Sequence, residues 1–201
     1  METALNAIWD AGAGPADRIA VVGAGVVGCL TAYLAARLPG SDVCLIDIDS
    51  GRRAVAERLG VPFRLAGSDI AGRFDIVFHA SASESGLRTA LSLAGFESDI
   101  VELSWYGADS VAVELGGSFH ANRLRLIASQ VGSVSARRRS RWDHQRRLSA
   151  AMTLLDDARL DALLDAACPF REAPARLAEW LAPGAGGLCH RITYERSRSD
   201  G

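Results

Sequence analysis

The sequence predicts an α/β protein built on a doubly wound, parallel, six-stranded sheet with helices on both faces, extended by C-terminal helices and a final strand. Three observations carry that expectation. Apolar, β-branched runs alternate with segments of helical periodicity from Arg18 to Ser129, the pattern of successive βαβ units. The first run, Arg18-Ile-Ala-Val-Val22, opens directly into Gly23-Ala24-Gly25-Val26-Val27-Gly28 and an alanine-rich helix. The second run ends on an acid, Asp47.

Each element follows from its residues. Glu2 to Ala11 reads as a helix with Leu5, Ile8 and Trp9 on one side, stopped by Gly12-Ala-Gly-Pro15. The first strand spans about Arg18 to Val22 and its helix Val26 to Leu38, broken by Pro39-Gly40. Val43 to Asp47 is the second strand, and Arg52 to Leu59 a helix closed by Gly60. Phe63 to Ala66 and Asp75 to Ala80 are the third and fourth strands, and Ser85 to Ala94 is a helix with Gly95 as its stop. Asp99 to Ser104 and Leu124 to Ser129 complete the sheet. Beyond Gly132 the texture changes: Trp142 to Leu155, Leu160 to Ala167 and Ala173 to Leu181 read as helices, Pro169 as an interruption, and Leu188 to Tyr194 as a last strand. The expected organisation is a leading helix and linker over 1–15, a dinucleotide-binding domain over 16–133, a helical segment and strand over 134–194 packed on it, and a disordered tail over 195–201.

The glycine run has a physical reading as a diphosphate seat, the Rossmann layout. Gly23 permits the tight turn out of the strand, Gly25 lets backbone approach the phosphates, and Gly28 lets helix and strand pack closely. The helix N-terminus adds free N–H groups and a partial positive charge. A purely structural turn is the alternative for the glycines alone. Asp47 lies where a carboxylate meets the adenosine ribose hydroxyls, and a 2′-phosphate would meet it as a like charge, which favours NAD over NADP. Asp49 competes for that role or caps the following helix.

Composition bounds the rest. The chain has 201 residues, 49% of them hydrophobic, and a net charge of −2, which gives no global electrostatic reason to seek nucleic acid or a membrane. No apolar run approaches the roughly 20 residues that span a bilayer, and Met1 to Trp9 lacks the features of a signal peptide, so a cytoplasmic protein is expected. Cys29, Cys44, Cys168 and Cys189 are scattered singly, and no His/Cys/Glu spacing suggests a metal. Lysine is absent, which excludes Schiff-base chemistry and a Tyr-x-x-x-Lys relay. Of the histidines, His79 ends the fourth strand at the sheet edge where ligands bind, and it either touches ligand or is structural; His120 falls in a loop, His144 on an arginine-rich helix and His190 in the last strand. Ser81, Ser83 and Ser85 surround a helix start and read as caps, and the Gly-x-Ser-x-Gly of a hydrolase is missing. The arginines between 137 and 147 read as a solvated, ion-paired helix face in preference to a nucleic-acid surface. Trp105-Tyr106 closes over a ligand or marks a surface that another domain covers.

Together these segments resemble the cofactor-binding half of the medium-chain, zinc-type alcohol dehydrogenases, over nearly the whole chain. The carriers are Met1 to Ala7, Val21 to Gly28 with Asp47, Leu124 to Gly132, and Pro169-Phe-Arg-Glu-Ala-Pro-Ala175, in that order. The resemblance implies an NAD(H)-binding domain of an enzyme that moves a hydride between nicotinamide and an alcohol or carbonyl carbon. It implies that Gly23, Ala24, Gly25, Val26, Val27 and Gly28 seat the diphosphate, that Asp47 holds the ribose with Arg52 beside it, and that Ala80, Ser81, Leu103, Ser104 and Trp105 lie by the nicotinamide. In the family the zinc ligands and most of the proton relay belong to a preceding catalytic domain, so Met1 corresponds to an internal position, no catalytic residue is expected here, and turnover requires that domain as a partner. Pairing into a homodimer through the edge strand Leu124 to Ser129 is also expected. Two alternatives stay open: a stand-alone NAD(H)-binding or sensing module or subunit without catalysis, and a fragment of a zinc-independent, quinone reductase-type enzyme.

Overall fold

The computed structural model describes residues 1–70, 73–182 and 185–194. Strand β1 (Arg18–Val22) lies between β2 (Asp42–Asp47) and β4 (Phe74–His79); β3 (Phe63–Leu65) pairs outside β2, and β5 (Ala94–Glu102) and β6 (Arg125–Ala128) follow β4. Every pairing in this six-stranded sheet is parallel. The order β3-β2-β1-β4-β5-β6 is the doubly wound arrangement, with chain connections running outward in opposite directions from the β1/β4 junction. That junction creates the crevice at the carboxyl ends of the strands.

Alternation along the strands builds a core on each face. Ile19 and Val21, with Leu45, Ile76, Phe78 and Val101, bury against α1 (Glu2–Ala11), α2 (Val26–Ala35) and α3 (Arg52–Leu59). Ala20, Val22, Ile46, Val77 and Ile100 face the other way, against Leu87, Ala90 and Leu91 of α4 (Glu84–Leu93). Burial of this kind contributes roughly 1.5–3 kcal/mol for each large aliphatic side chain. Ser83 caps α4, its hydroxyl accepting from the Gly86 N–H at 3.1 Å.

The structure corrects several expected elements. Residues 160–167 are not an α-helix: a 3-10 turn at Ala158–Leu163 buries Leu160, Ala162 and Leu163, and the chain continues as β7 (Leu164–Pro169). This strand pairs in parallel with β8 (Cys189–Thr193), across α7 (Ala173–Trp180), in a second two-stranded sheet. The partner lies beyond the reach of local periodicity. Strand β5 begins at Ala94, ahead of the expected Asp99, and Gly95 sits inside it, so α4 ends without a glycine cap. His120 is in a one-turn helix, α5 (Ser118–Ala121), instead of a loop. The expected disordered tail lies outside the described residues.

The arginine cluster also differs from an ion-paired solvent face. Asp143 caps α6 (His144–Leu154) by accepting from the Arg146 N–H at 2.8 Å. Arg147 is 2% exposed and donates to Glu2 Oε1 at 2.9 Å, to Asn6 Oδ1 at 2.8 Å and to the carbonyls of Val131 and Ser133, tying α6 to α1. Arg146 lies over the Trp142 ring and Arg138 over Trp9. Among the described residues no helix is long and apolar enough to cross a membrane.

Candidate functional site

A cleft opens at the β1/β4 junction, a cavity of about 370 Å³ lined by Gly23, Gly25, Asp47, Ile48, Ala66, Ala80, Ser81, Ser83 and Thr89, among others. Its floor is the glycine turn. Gly23 takes φ +107°, and a Cβ there would stand 2.7 Å from the backbone of Ala80 and Ser81, so the turn presses against the end of β4. A Cβ on Gly28 would fall 1.8 Å from the Gly23 carbonyl oxygen, so only glycine allows α2 to start this close to β1. Gly25 is different in kind: a Cβ there would meet nothing within 4 Å. The vacancy above Gly25 is therefore a cradle in the cleft, one that a methyl group would fill.

Donors surround that cradle. The first-turn N–H groups of Val26, Val27 and Gly28 have no intrahelical acceptor, because the first helical bond runs from Cys29 to Gly25. With the helix dipole they offer a seat for an anion. Beside it, Asp47 Oδ2 accepts from the Ala24 N–H and Oδ1 from the Asp49 N–H, which fixes the carboxylate at the cleft rim. Each oxygen keeps acceptor capacity for a ligand hydroxyl. Asp49 is engaged locally and is not the cap of α3, whose N-cap is Gly51 without a side-chain bond: its Oδ1 accepts from the Gly51 N–H at 2.8 Å and its Oδ2 pairs with Arg52 Nε at 3.3 Å.

A second polar group closes the other side. His79, fully buried at the end of β4, is paired in register with Glu102 of β5, and its Nδ1 lies 2.7 Å from Glu102 Oε2. His79 Nε2 lies 2.7 Å from Ser81 Oγ, which is 2.9 Å from Ser83 Oγ. Glu102 Oε1 accepts from the Ser104 N–H at 2.7 Å. Burial alone would push the Glu102 carboxyl up; the hydrogen bonds and charge of His79, with the Ser104 donors, outweigh it and hold the group below its ordinary value. Tyr106 completes the enclosure, its hydroxyl 3.4 Å from Glu102 Oε2 and pushed up to about 12 by burial and the Glu102 charge, so it remains a donor. Ala82, at φ 49°, turns the chain between the two serines, a left-handed conformation that costs an L-residue on the order of 1 kcal/mol.

Of the expected site residues, the structure brings Gly23, Gly25, Asp47, Ala80 and Ser81 together as walls of one cleft, with Ala24, Val26, Val27 and Gly28 in the adjoining turn and helix start. Arg52 is drawn to Asp49 and does not line the cavity. Nor do Leu103, Ser104 and Trp105: Leu103 packs on the core, Ser104 Oγ accepts from the Ala82 N–H at 3.0 Å, and Trp105 is 84% exposed. Sequence reasoning missed Glu102 and Gly86, and it offered Tyr106 only together with Trp105, as closing over a ligand or marking a covered surface. The available signal was a polar residue ending each of two otherwise apolar strands, Asp75-Ile-Val-Phe-His79 and Asp99-Ile-Val-Glu102. Among the described residues, no group of three or more His, Cys, Asp or Glu side chains is placed to hold a metal ion. A zinc site does not fit these residues.

Comparison with known proteins finds the same fold. No family model matches the chain. D-guloside 3-dehydrogenase of Escherichia coli (strain K12) is 24% identical over 191 residues, covering 89% of this chain and 55% of that protein. L-idonate 5-dehydrogenase of Escherichia coli K-12 superposes with a TM-score of 0.75 at 17% identity, over 96% of this chain and 54% of its own. A structure from Sinorhizobium meliloti 1021, described as a zinc-binding dehydrogenase bound to NADP, gives 0.74 at 20% identity, over 95% and 56%. A structure described as a short chain alcohol dehydrogenase of Escherichia coli CFT073 in complex with NADH gives 0.72 at 14%, over 95% and 56%. The chain thus spans about half the length of the relatives it matches, and it has the fold of the dinucleotide-binding half of such dehydrogenases.

Proposed function

We propose that this chain is the nicotinamide-dinucleotide-binding half of a medium-chain, zinc-type dehydrogenase, and that the complete enzyme moves a hydride between nicotinamide and an alcohol or carbonyl carbon. One observation carries the reading: the open space above Gly25, bounded by the unpaired N–H groups of α2 and flanked by a fixed carboxylate at Asp47, has the polarity of a diphosphate seat next to a ribose. In this reading α2 binds the diphosphate, Asp47 accepts from the adenosine ribose, and Ile48, 86% exposed at the cleft with Ala66 nearby, gives an apolar wall for a base. The dinucleotide supplies the hydride chemistry when bound; these residues hold and orient it. Zinc and the substrate's electrophile belong to the catalytic domain in this reading.

Asp47 also supports NAD over NADP, because a 2′-phosphate would stand against its carboxylate. Calorimetric titration of the purified chain with NADH and NADPH tests both points. NADH is expected to bind and NADPH to bind more weakly, with Asp47→Asn weakening NADH and narrowing the difference. Absence of NADH binding, or an unchanged affinity in Asp47→Arg, would refute the reading. The exposed edge at β6, where Leu126 is 41% exposed, supports pairing of two copies, and light scattering at high concentration that shows only monomer refutes that part.

A further inference from the structure

A continuous chain of hydrogen bonds runs from the carboxyl end of β5 to the cleft: Glu102 Oε2 to His79 Nδ1, His79 Nε2 to Ser81 Oγ, and Ser81 Oγ to Ser83 Oγ, at 2.7, 2.7 and 2.9 Å. Its protons can be counted. Glu102, ionised, accepts from the Ser104 N–H on one oxygen and is approached on the other by the Tyr106 hydroxyl, a donor. It has no proton to give, so in the neutral imidazole Nδ1 carries the hydrogen and Nε2 the lone pair. Ser81 must then donate to Nε2. Ser83 already accepts from the Gly86 N–H and directs its own proton to Ser81. Ser81 Oγ is left with one free lone pair on the cavity wall.

The order Ser-His-Glu resembles a nucleophilic triad, and the surroundings decide against that use. The Ala82 N–H, which would stabilise an oxyanion beside Ser81, is committed to Ser104 Oγ. Gly86 closes over the serine so tightly that a Cβ there would stand 2.0 Å from Ser81 Oγ and 2.9 Å from His79 Nε2. With no free donor for an oxyanion, the arrangement holds the hydroxyl without activating it for attack, while Ser81 itself lines the cavity.

We propose that His79 and Glu102 are positioning residues that pin the Ser81 proton and so present Ser81 Oγ as a hydrogen-bond acceptor for a sugar hydroxyl of the bound dinucleotide, on the far side of the diphosphate from Asp47. The inference rests on the dinucleotide reading above. Strand order supports the placement, since β2 and β4 flank β1 and set Asp47 and Ser81 on opposite sides of the glycine turn.

The test uses the whole chain at pH 8 with NADH and ADP-ribose as probes. Nitrogen-15 spectra of the histidine rings are expected to show His79 protonated at Nδ1, with Glu102→Gln shifting the proton toward Nε2. Calorimetry is expected to give a Kd about 3- to 10-fold weaker in Ser81→Ala and in Glu102→Gln, the change of one hydrogen bond, and a near-native value in Ser81→Thr, which keeps the hydroxyl. The weakening in Ser81→Ala persists with ADP-ribose, which keeps both sugars and lacks the nicotinamide. An Nε2-protonated His79 in the wild type, unchanged affinities in both variants, loss of the effect with ADP-ribose, or covalent labelling of Ser81 by a fluorophosphonate overturns the proposal. A wild-type chain that binds neither probe overturns the dinucleotide reading with it, whereas wild-type binding with unaffected variants overturns this inference alone.

Discussion

Replacing Gly25 and Gly28 separately by alanine divides the glycine turn into a binding part and a folding part. At Gly28 the new methyl carbon would stand 1.8 Å from the Gly23 carbonyl oxygen, a backbone atom that moves only if β1 and α2 separate. Overpacking of this kind costs about 1–3 kcal/mol. For a chain of this size that is a fall in Tm of about 3–10 °C. At Gly25 the backbone is in the ordinary extended region, φ −72° and ψ −179°, and the methyl meets nothing. Stability there is expected to hold or rise by about 0.4–1 kcal/mol, because alanine restricts the unfolded chain. The same methyl stands in the cradle, however, and denies a phosphate oxygen its N–H donors. Loss of one charge-assisted hydrogen bond, about 1.5–3 kcal/mol, weakens Kd by roughly 10- to 150-fold. Thermal unfolding and NADH titration on both variants check the pair. A Gly25→Ala protein that binds NADH as the wild type does would refute the assignment of the cradle, and a Gly28→Ala protein of wild-type stability would refute the steric argument.

Three further expectations concern the frame around the cleft. Arg147→Met leaves Glu2 and two carbonyls without their buried donor and should cost about 3–5 kcal/mol, read as a Tm fall on the order of 10 °C. Glu102 and Asp157 are both held below the ordinary carboxylate range, the first as described and the second by hydrogen bonds from Arg159 and Tyr33. A depressed carboxyl favours the folded state above its unfolded value, near about pH 4, and loses that contribution as pH falls through the folded value. Urea midpoints should therefore be level above about pH 5 and drop below about pH 4, and the double variant Glu102→Gln, Asp157→Asn should flatten the drop; an equally steep profile would refute it. Burial pushes the Cys29 thiol up to about 12 and Cys44 up to about 11, so neither should react with a disulfide reagent at pH 8 until denaturant exposes them.

How much of this was legible in the chain depends on the range of each interaction. The sheet was readable because Ile19 to Val22, Val43 to Ile46 and Ile76 to Phe78 are buried on both faces, and such strands are written as continuous apolar runs. The glycine turn that floors the cleft was readable because its determinants are local, six consecutive residues. Residues 164–167 were misread as helix because their strand character comes from β8, more than twenty residues away, and alanine and leucine carry no local objection to either state. The His79–Glu102 pair is of the same kind. Its members are 23 residues apart, and only the parallel register of β4 with β5 makes them neighbours.

That register matters because it gives the crevice a polarity in three parts. Asp47, on the β2 side, offers acceptors; the start of α2, in the middle, offers N–H donors; Ser81, on the β4 side, offers an acceptor. A ligand complementary to such a sequence carries hydroxyl donors at two places and an anion between them, which is the order sugar, diphosphate, sugar along a dinucleotide. Each acceptor is oriented by its partners, Asp47 by the Ala24 and Asp49 N–H groups and Ser81 by His79 and Glu102. The ends of the ligand are thus read by side chains whose own protons and rotamers are fixed from beneath the sheet edge, and the middle by backbone that only glycine leaves open.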